Sequence, residues 1–244
     1  MSMPGESVLR VPTYVQGLDN ILNGGIPKGS TIVIEGAAGT MKSTLSYAIL
    51  YQNAIRRGDT VLYMTLEQSR TDLEEQMSEL GMPRRGQVDL QDKLAIVDLG
   101  ELRHFLSGAG ESDLSTDWFK SVLRQLRSYK KEFPVGIFVL DSINALLSLH
   151  NRENPRVDLF HFMRELKELD MTCLLISEVG KEDNSWFGRS TLDYLVDGII
   201  LMEANRVEDI VNMQLGVVKM RKTAHKRSFH PFIVSRGRVE VVGA

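Results

Sequence analysis

The sequence predicts an α/β fold in which helices flank a mostly parallel central sheet and an antiparallel β extension follows at the C-terminus. Two observations support this prediction. Uniformly apolar runs, too apolar to leave one face in water, alternate with helical patterns along most of the chain, as interior parallel strands do. Strand-like segments then follow one another over residues 212–242 without a helix between them. No linker separates two apolar cores, so we expect one domain over residues 1–244.

The predicted elements alternate in the order expected of such a fold. The predicted strands cover residues 32–34, 60–66, 93–99, 135–141, 171–177, 197–202, 212–220, 229–235 and 238–242. Helices are predicted at 42–57, 69–80, 117–131 and 156–169. Gly100–Asp117 breaks the periodicity and predicts a loop or partly disordered insertion. Gly180–Arg189 predicts a long loop with two aromatic residues, which is either a solvated loop or a surface for single-stranded nucleic acid.

The N-terminal segment divides into a leader and a short lead-in. Residues 1–12 carry two prolines and little periodicity, so we expect a flexible leader. Residues 17–29 predict a turn of amphipathic helix ended by Gly24-Gly25, with Pro27 and Gly29 turning the chain into the first apolar strand. On physical grounds alone, this lead-in is a capped helix.

The segment after that first strand has the order of a phosphate-binding loop. A β-branched run stops at Gly36, small residues follow, and a helical pattern restarts at Lys42. Backbone N–H groups of such a loop converge on phosphates, and the positive end of the next helix favours the same charge. Lys42 would then reach the β- and γ-phosphate oxygens, and the Ser43 hydroxyl would bind Mg²⁺. The candidate nucleotide-binding residues are Ala38, Gly39, Thr40, Met41, Lys42, Ser43 and Thr44.

One position departs from the usual G-x-x-x-x-G-K-[ST] pattern. Met41 stands where glycine normally precedes the lysine. If that position needs a positive φ, a non-glycine residue there costs on the order of 1 kcal/mol. We therefore expect nucleotide binding with slow turnover. The alternative is an ordinary strand–turn–helix joint that matches the pattern by chance.

Carboxylates directly follow two of the predicted strands. Ligands of open α/β sheets lie at the carboxyl ends of the strands, so Glu67 is a candidate general base facing the γ-phosphate. Its alternative is a solvated carboxylate at the start of the helix at Ser69. Asp141 is a candidate Mg²⁺ ligand opposite Ser43. Its alternative is an N-cap for the helix that follows at Ile143.

Composition and charge exclude several classes of protein. The N-terminus lacks the build of a signal peptide, and no apolar run approaches the roughly 20 residues that span a bilayer, so we expect a cytoplasmic protein without membrane insertion. The single cysteine, Cys173, lies in an apolar run and is predicted to be a core residue. The net charge of −3 argues against nucleic acid as a partner.

With these segments in place, the chain resembles a single KaiC-type domain of the RecA-like ATPase superfamily over nearly its whole length. This resemblance implies a RecA-like P-loop fold that uses ATP and Mg²⁺. In that family a glutamate after the second strand activates the attacking water, which implies Glu67, although Gln68 replaces a frequent second glutamate. The resemblance rests on Gly17-Leu18-Asp19, Gly24-Gly25-Ile26-Pro27, Leu66-Glu67, Leu140-Asp141-Ser142, Asp197-Gly198 and the segment from Val218 to His225.

The last of these segments resembles the family's K-x-R-x-T-x-H pattern, which reaches the nucleotide held by the neighbouring subunit of a ring. By that resemblance Lys219 and Arg221 would act on the γ-phosphate side in trans. Thr223 and His225 would contact the sugar and base side. The resemblance also favours a homohexamer. A head-to-tail ring follows independently if the two halves of the site lie on different faces of one chain.

A physical observation agrees with this implied role. A basic cluster in an acidic chain favours an anionic partner, such as the phosphates of an adjacent copy. The alternative is a solvated basic β-hairpin. The cluster consists of Lys219, Arg221, Lys222, His225, Lys226 and Arg227.

The resulting hypothesis is a slow, ring-forming Mg-ATPase that acts as a regulatory switch with an unidentified protein partner. A second hypothesis is a nucleotide-gated assembly module with little hydrolysis, like the accessory ATPase of archaeal motility structures. A third is a recombinase-like DNA-binding ATPase. Autophosphorylation occurs in two-domain relatives, but no residue of this single domain indicates it.

Overall fold

The computed structural model describes residues 8–83, 90, 93–100, 117–150, 154–179 and 192–243. Residues 101–116 of the predicted insertion at 100–117, and the predicted aromatic loop at 180–189, lie outside these residues. The strands are β1 (Arg10–Val11), β2 (Ile26–Pro27), β3 (Thr31–Gly36), β4 (Thr60–Thr65), β5 (Leu94–Asp98), β6 (Val135–Asp141), β7 (Thr172–Glu178), β8 (Gly198–Val207), β9 (Ile210–Met220), β10 (Phe229–Ser235) and β11 (Arg238–Val241). The helices are α1 (Leu18–Ile21), α2 (Lys42–Arg57), α3 (Arg70–Glu79), α4 (Trp118–Glu132), α5 (Ile143–Leu149), α6 (Pro155–Glu168) and α7 (Leu192–Leu195).

Within the described residues, a central sheet runs in the order β11-β10-β9-β8-β3-β7-β6-β4-β5. The strands from β8 to β5 are parallel, whereas β9, β10 and β11 are antiparallel to their neighbours. The predicted fold class is therefore confirmed. No helix in the described part of the chain is both long and apolar enough to cross a lipid bilayer.

Alternating side chains of β3 lie in two apolar layers, one on each face of the sheet. Ile32 and Ile34 belong to the layer that packs against α2 and the lead-in. Val33 belongs to the layer under α4, α5 and α6, which also contains Cys173. Burial raises the pKa of the Cys173 thiol to about 12, as suits an unreactive core residue. Burying each such aliphatic side chain stabilises the fold by about 1.5–3 kcal/mol, which fixes the strand that feeds the loop.

Local signals in the sequence set the helix boundaries. Gly58 ends α2 in the left-handed conformation, as a glycine C-cap does. The Ser69 side chain accepts a hydrogen bond from the Asp72 amide at the start of α3. Asp117 caps α4 in the same way. The helices that were predicted therefore begin and end within about two residues of their predicted bounds.

The N-terminal leader differs from the prediction in its last residues. Arg10 and Val11 form β1, which pairs antiparallel with β2 through Ile26 and Pro27. Val11 is buried, and the Arg10 side chain is hydrogen-bonded. A flexible leader over the whole of residues 1–12 is thus wrong for this part. Residues 1–7 lie outside the described chain.

The sheet has two edges that matter for function. The parallel strands all end at one edge, which we call the carboxyl edge, and begin at the other, the amino edge. The phosphate loop follows Gly36 and lies at the carboxyl edge. Because β9 runs antiparallel to β8, its last residue, Met220, pairs with the first residue of β8, Gly198. The segment after β9 therefore leaves the sheet at the amino edge.

Candidate nucleotide-binding site

The predicted phosphate loop connects β3 to α2 as the sequence order requires. The Lys42 ammonium turns back over the loop and donates a hydrogen bond to the Ala37 carbonyl at 2.8 Å. It lies 3.7 Å from the carboxylate of Glu178. Burial lowers the pKa of Lys42, and the carboxylates of Glu178 and Asp141 act in the opposite direction. A cation held over a loop at a helix N-terminus is well placed for an anionic ligand.

Met41 occupies a strained backbone conformation directly before α2. Its φ of 66° and ψ of 29° lie in the left-handed region that glycine normally fills. The side chain is 38% exposed, so it does not fill the loop. The positive φ confirms the backbone requirement inferred from the missing glycine, at a cost on the order of 1 kcal/mol.

Ser43 and Asp141 meet across the sheet edge. The Ser43 hydroxyl donates to Asp141 Oδ2 at 2.8 Å, and the buried Tyr63 hydroxyl donates to the same oxygen. Burial raises the pKa of Asp141, whereas the hydrogen bonds from Tyr63 and Ser43 oppose that rise. The helix that follows is capped by Ser142, whose side chain accepts from the Ala145 amide. The interpretation of Asp141 as a helix N-cap is therefore wrong.

Ser43 and Asp141 are suited to bind a magnesium ion. Asp141 Oδ1 is buried and has no hydrogen-bond partner among the described residues. Such an orphaned oxygen is costly unless a ligand or water satisfies it. A carboxylate and a hydroxyl are hard oxygen donors, and Mg²⁺ in phosphate sites is held by one or two protein oxygens together with phosphate and water.

Glu67 follows β4 and stands outside the helix that comes next. Its carboxylate accepts a hydrogen bond from the Ser142 hydroxyl. The helix α3 begins only at Arg70, and Ser69 caps it. Glu67 is an exposed residue of the cleft beside the phosphate loop. The structure thus brings Glu67, Asp141 and the loop to one place.

The cleft has a volume of about 500 Å³, within the range of small-molecule sites. Its walls come from the loop, from the ends of β4, β6 and β7, and from α3. The lining residues are Gly39, Met41, Lys42, Ser43, Thr44, Glu67, Gln68, Gln76, Glu79, Leu80, Asp141, Ile176 and Glu178.

Sequence reasoning missed two groups of the site. Glu178 ends β7 and faces Lys42, and Asn144 holds its backbone by donating to the Glu178 carbonyl at 3.1 Å and accepting from its amide at 2.8 Å. The rule that selected Glu67, a carboxylate at the end of a buried strand, would also have selected Glu178. Tyr63 carries no such signal, because it lies inside an apolar run and resembles a core residue.

Lys219 and Arg221 lie at the amino edge, away from the loop of their own chain. Lys219 Nζ donates to the carbonyls of Asp193 at 2.7 Å and Val196 at 2.8 Å. Burial lowers the pKa of Lys219, and the nearby Arg221 charge lowers it further. The Arg221 guanidinium lies 3.2 Å from Asp197 Oδ1.

Asp197 anchors this edge. Its carboxylate accepts from the Thr31 amide at 3.1 Å, from Lys167 at 3.1 Å and from Arg221. Although burial raises the pKa of Asp197, the hydrogen bonds from Thr31 and Lys167 outweigh burial and hold it below the usual value. Its negative charge therefore fixes the cation of Arg221 in place.

The remaining predicted residues of the tail lie close to Arg221. Thr223 Oγ1 accepts from Arg10, and its carbonyl lies 3.2 Å from His225 Nδ1. His225 Nε2 is buried and has no partner within the described chain.

The two predicted halves of the site do not meet within one chain. The register pairs Ile32 with Gly198 at the amino edge and Gly36 with Met202 toward the carboxyl edge. Four residues of strand separate these pairs, which corresponds to roughly 13 Å. The loop thus lies at one edge of the sheet and the tail residues at the other.

Comparison with known proteins gives a consistent result. A family profile described as "ATPase: KaiC" matches residues 11–244. A UPF0273 protein of Pyrobaculum aerophilum is 29% identical over 243 residues, which cover 97% of this chain and 83% of that protein. The circadian clock protein KaiC2 of Synechocystis sp. is 25% identical over 237 residues, covering 97% of this chain but only 40% of that protein.

A solved structure supports the fold. The crystal structure of a KaiC-like protein from the hyperthermophilic archaeon Pyrococcus horikoshii superposes with a TM-score of 0.81 at 23% identity. The match covers 96% of this chain and 99% of that one. At this identity the likeness concerns the fold alone.

Proposed function

Because this chain belongs to the KaiC ATPase family, we propose that it is a slow, ring-forming Mg-ATPase that binds ATP between adjacent copies and acts as a switch. Membership of an ATPase family implies nucleotide binding. The slow hydrolysis, the ring and the switching role go beyond family membership and belong to the proposal.

One observation carries the proposal, namely the position of the two half-sites at opposite edges of the sheet. A site completed by residues from the opposite face of another copy makes a head-to-tail contact, and such contacts close into a ring or continue as a filament. The basic cluster at the amino edge supplies the charge that the phosphates at the carboxyl edge of the next copy need. We infer a closed ring, with six copies as the family resemblance implies.

The residues of the loop half would bind and orient the nucleotide. The loop amides and the start of α2 would hold the phosphates, and Lys42 would exchange its contact with the Ala37 carbonyl for the β- and γ-phosphate oxygens. Ser43 and Asp141 would hold Mg²⁺, which supplies charge neutralisation on those oxygens when bound. Glu67 would orient the attacking water and accept its proton, while Ser142 fixes the direction of its carboxylate.

The residues of the tail half would act on the nucleotide of the next copy. Arg221 and Lys219 would stabilise the charge that develops on the γ-phosphate, as an arginine finger does. Thr223 and His225 would lie on the sugar and base side, as the family resemblance implies.

A second candidate function is assembly gated by nucleotide with little hydrolysis. Two observations favour it. Met41 holds a strained conformation where the loop meets the phosphates, and Gln68 lines the cleft where a second carboxylate would provide another base. ATP-dependent growth in mass without phosphate release would support this candidate over the ATPase.

The test measures phosphate release and light-scattering mass, each with and without ATP, for the wild type and three variants. Lys42→Ala should lose nucleotide binding. Glu67→Gln should bind ATP but hydrolyse it about 100-fold more slowly. Arg221→Ala should keep nucleotide bound to its own loop and lose most of its turnover.

The control is Arg127→Ala, which removes an exposed arginine of α4 that pairs with Glu165. It should keep wild-type activity. Full turnover by Arg221→Ala in the assembled state would show that the shared site is wrong. Phosphate release that persists in Glu67→Gln would exclude Glu67 as the base.

A further inference from the structure

The Arg10 side chain connects the lead-in to the segment after β9. Its Nη1, whose two N–H groups are shared among three acceptors, lies 3.2 Å from the Leu22 carbonyl, 2.9 Å from the Gly25 carbonyl and 3.0 Å from Thr223 Oγ1. Its Nη2 donates to the Lys222 carbonyl at 3.1 Å. One guanidinium thus joins two segments that are about 200 residues apart in the chain.

The lead-in packs closely against β1, the strand that carries Arg10. Gly25 has a φ of +123°, and a Cβ there would lie 2.4 Å from the Val11 carbonyl oxygen. Only glycine therefore lets β1 approach the Gly24-Gly25 turn so closely. The Lys28 amide donates to the Leu9 carbonyl at 2.9 Å and extends the antiparallel pairing of β1 with β2. The close packing against β1 gives the Gly24-Gly25 turn a structural role that the local sequence pattern, interpreted as a capped helix, did not show.

The segment that Arg10 holds has little structure of its own. Residues 221–228 form a turn and an irregular stretch between β9 and β10, and Lys222 has a positive φ of 58°. The Lys226 amide donates to the Ile21 carbonyl at 3.3 Å, which is a second contact with the lead-in. The path of this segment is therefore set by the lead-in as well as by the sheet.

We propose that Arg10 is a positioning residue for the shared site, which sets the turn carrying Arg221, Thr223 and His225 so that these residues reach the nucleotide of the next copy. This inference rests on the proposed function. It assigns the N-terminal strand and the Gly24-Gly25 turn a role in trans, although they contribute no lining residue to the cleft of their own chain.

The geometry of these contacts requires arginine rather than lysine at position 10. Three acceptors surround Nη1 and the Lys222 carbonyl lies at Nη2, so the contacts use both arms of the planar guanidinium, and the single nitrogen of lysine cannot occupy both positions. All four acceptors are neutral oxygens, so the charge of Arg10 adds to that of the basic cluster. Arg10→Lys keeps the charge and loses the fork, which separates these two contributions.

The first measurement compares Arg10→Ala and Arg10→Lys with Arg56→Ala. Arg56 is a control of the same type, since it contacts Gln52 and the Tyr14 ring and its removal leaves the turn untouched. Both Arg10 variants should lose at least about tenfold in kcat, because misplacement of Arg221 weakens its contact with the transition state. KM for ATP should rise as well, because the same turn carries Thr223 and His225 on the sugar and base side. Arg56→Ala should keep wild-type values. Unchanged kcat in Arg10→Ala would overturn the proposal.

The second measurement mixes variants and requires Arg10→Ala to fold. Arg10→Ala keeps an intact loop half, and Glu67→Gln keeps an intact tail half. In an equimolar mixture of the two variants, about one interface in four pairs these two intact halves. Phosphate release should therefore rise above that of either variant alone. The same mixture made with Arg10→Lys covers the case in which Arg10→Ala does not fold.

A parallel mixture separates failure of this inference from failure of the proposed function. Arg221→Ala mixed with Glu67→Gln should also recover activity. If this mixture recovers and the Arg10 mixtures do not, Arg10 does not act through the tail half and the inference is wrong. If neither recovers, the shared site itself is wrong.

Discussion

Glu35 is a carboxylate on the strand that feeds the phosphate loop, one residue before Gly36. Burial, together with the negative charge of Asp193, raises its pKa to about 7. Its neighbours across the sheet are Ser177 of β7 and Leu201 of β8, neither of which carries a charge. The folded chain therefore binds a proton here at pH values where the unfolded chain has released it.

This shift predicts a pH-dependent effect of Glu35→Gln on the free energy of unfolding. Because the folded pKa lies above the unfolded value of 4.5, the wild type loses stability as the pH rises from about 4.5 to about 7. Glutamine stays neutral, so the variant should be more stable than the wild type at pH 8, by on the order of 2 kcal/mol. The gap should close near pH 4.5.

Urea unfolding at pH 5 and pH 8 measures this difference. Glu132→Gln, which changes an exposed glutamate at the end of α4, is the control and should show no such gap. An equal difference between Glu35→Gln and the wild type at both pH values would contradict the assignment.

At the scale of elements, the seating of β1 against the Gly24-Gly25 turn predicts unequal effects of two glycine substitutions. Gly25→Ala puts a Cβ 2.4 Å from the Val11 carbonyl oxygen and 2.9 Å from Pro12 Cα, at a φ unsuited to alanine. We expect a loss of about 2 kcal/mol or more in the free energy of unfolding. The control Gly136→Ala, in β6, has no atom within 4 Å of the new Cβ and should change stability little.

Thermal and urea unfolding of the two variants provide the measurement. Equal stability of Gly25→Ala and Gly136→Ala would mean that the lead-in is not packed against β1 as described.

The elements that the sequence predicted well are those with local signals. Uniform apolar runs indicated the parallel strands, and caps such as Gly58 and Asp117 marked helix ends. The strand β1 escaped prediction because both it and its partner β2 are only two residues long, and strands of that length have no periodicity. In the site, Ser43 and Asp141 were found from strand ends and spacing, whereas Tyr63 was hidden within a core pattern.

At the scale of the whole molecule, the sheet keeps the two halves of the proposed site apart. The loop, Glu67 and Asp141 lie at the carboxyl edge, while Lys219 and Arg221 are held at the amino edge by α7 and Asp197. A rigid parallel sheet cannot bend to bring these edges together. A second copy is therefore the simplest source of the missing cations.

The central claim is that nucleotide is held between two copies of this chain. A structure of the assembly with Mg²⁺ and a non-hydrolysable ATP analogue tests it most directly. We predict that the γ-phosphate contacts Lys42 of one copy and Arg221 of the next. An analogue bound to Lys42 in an isolated copy, or in an assembly whose Arg221 side chains contact no phosphate, would contradict it.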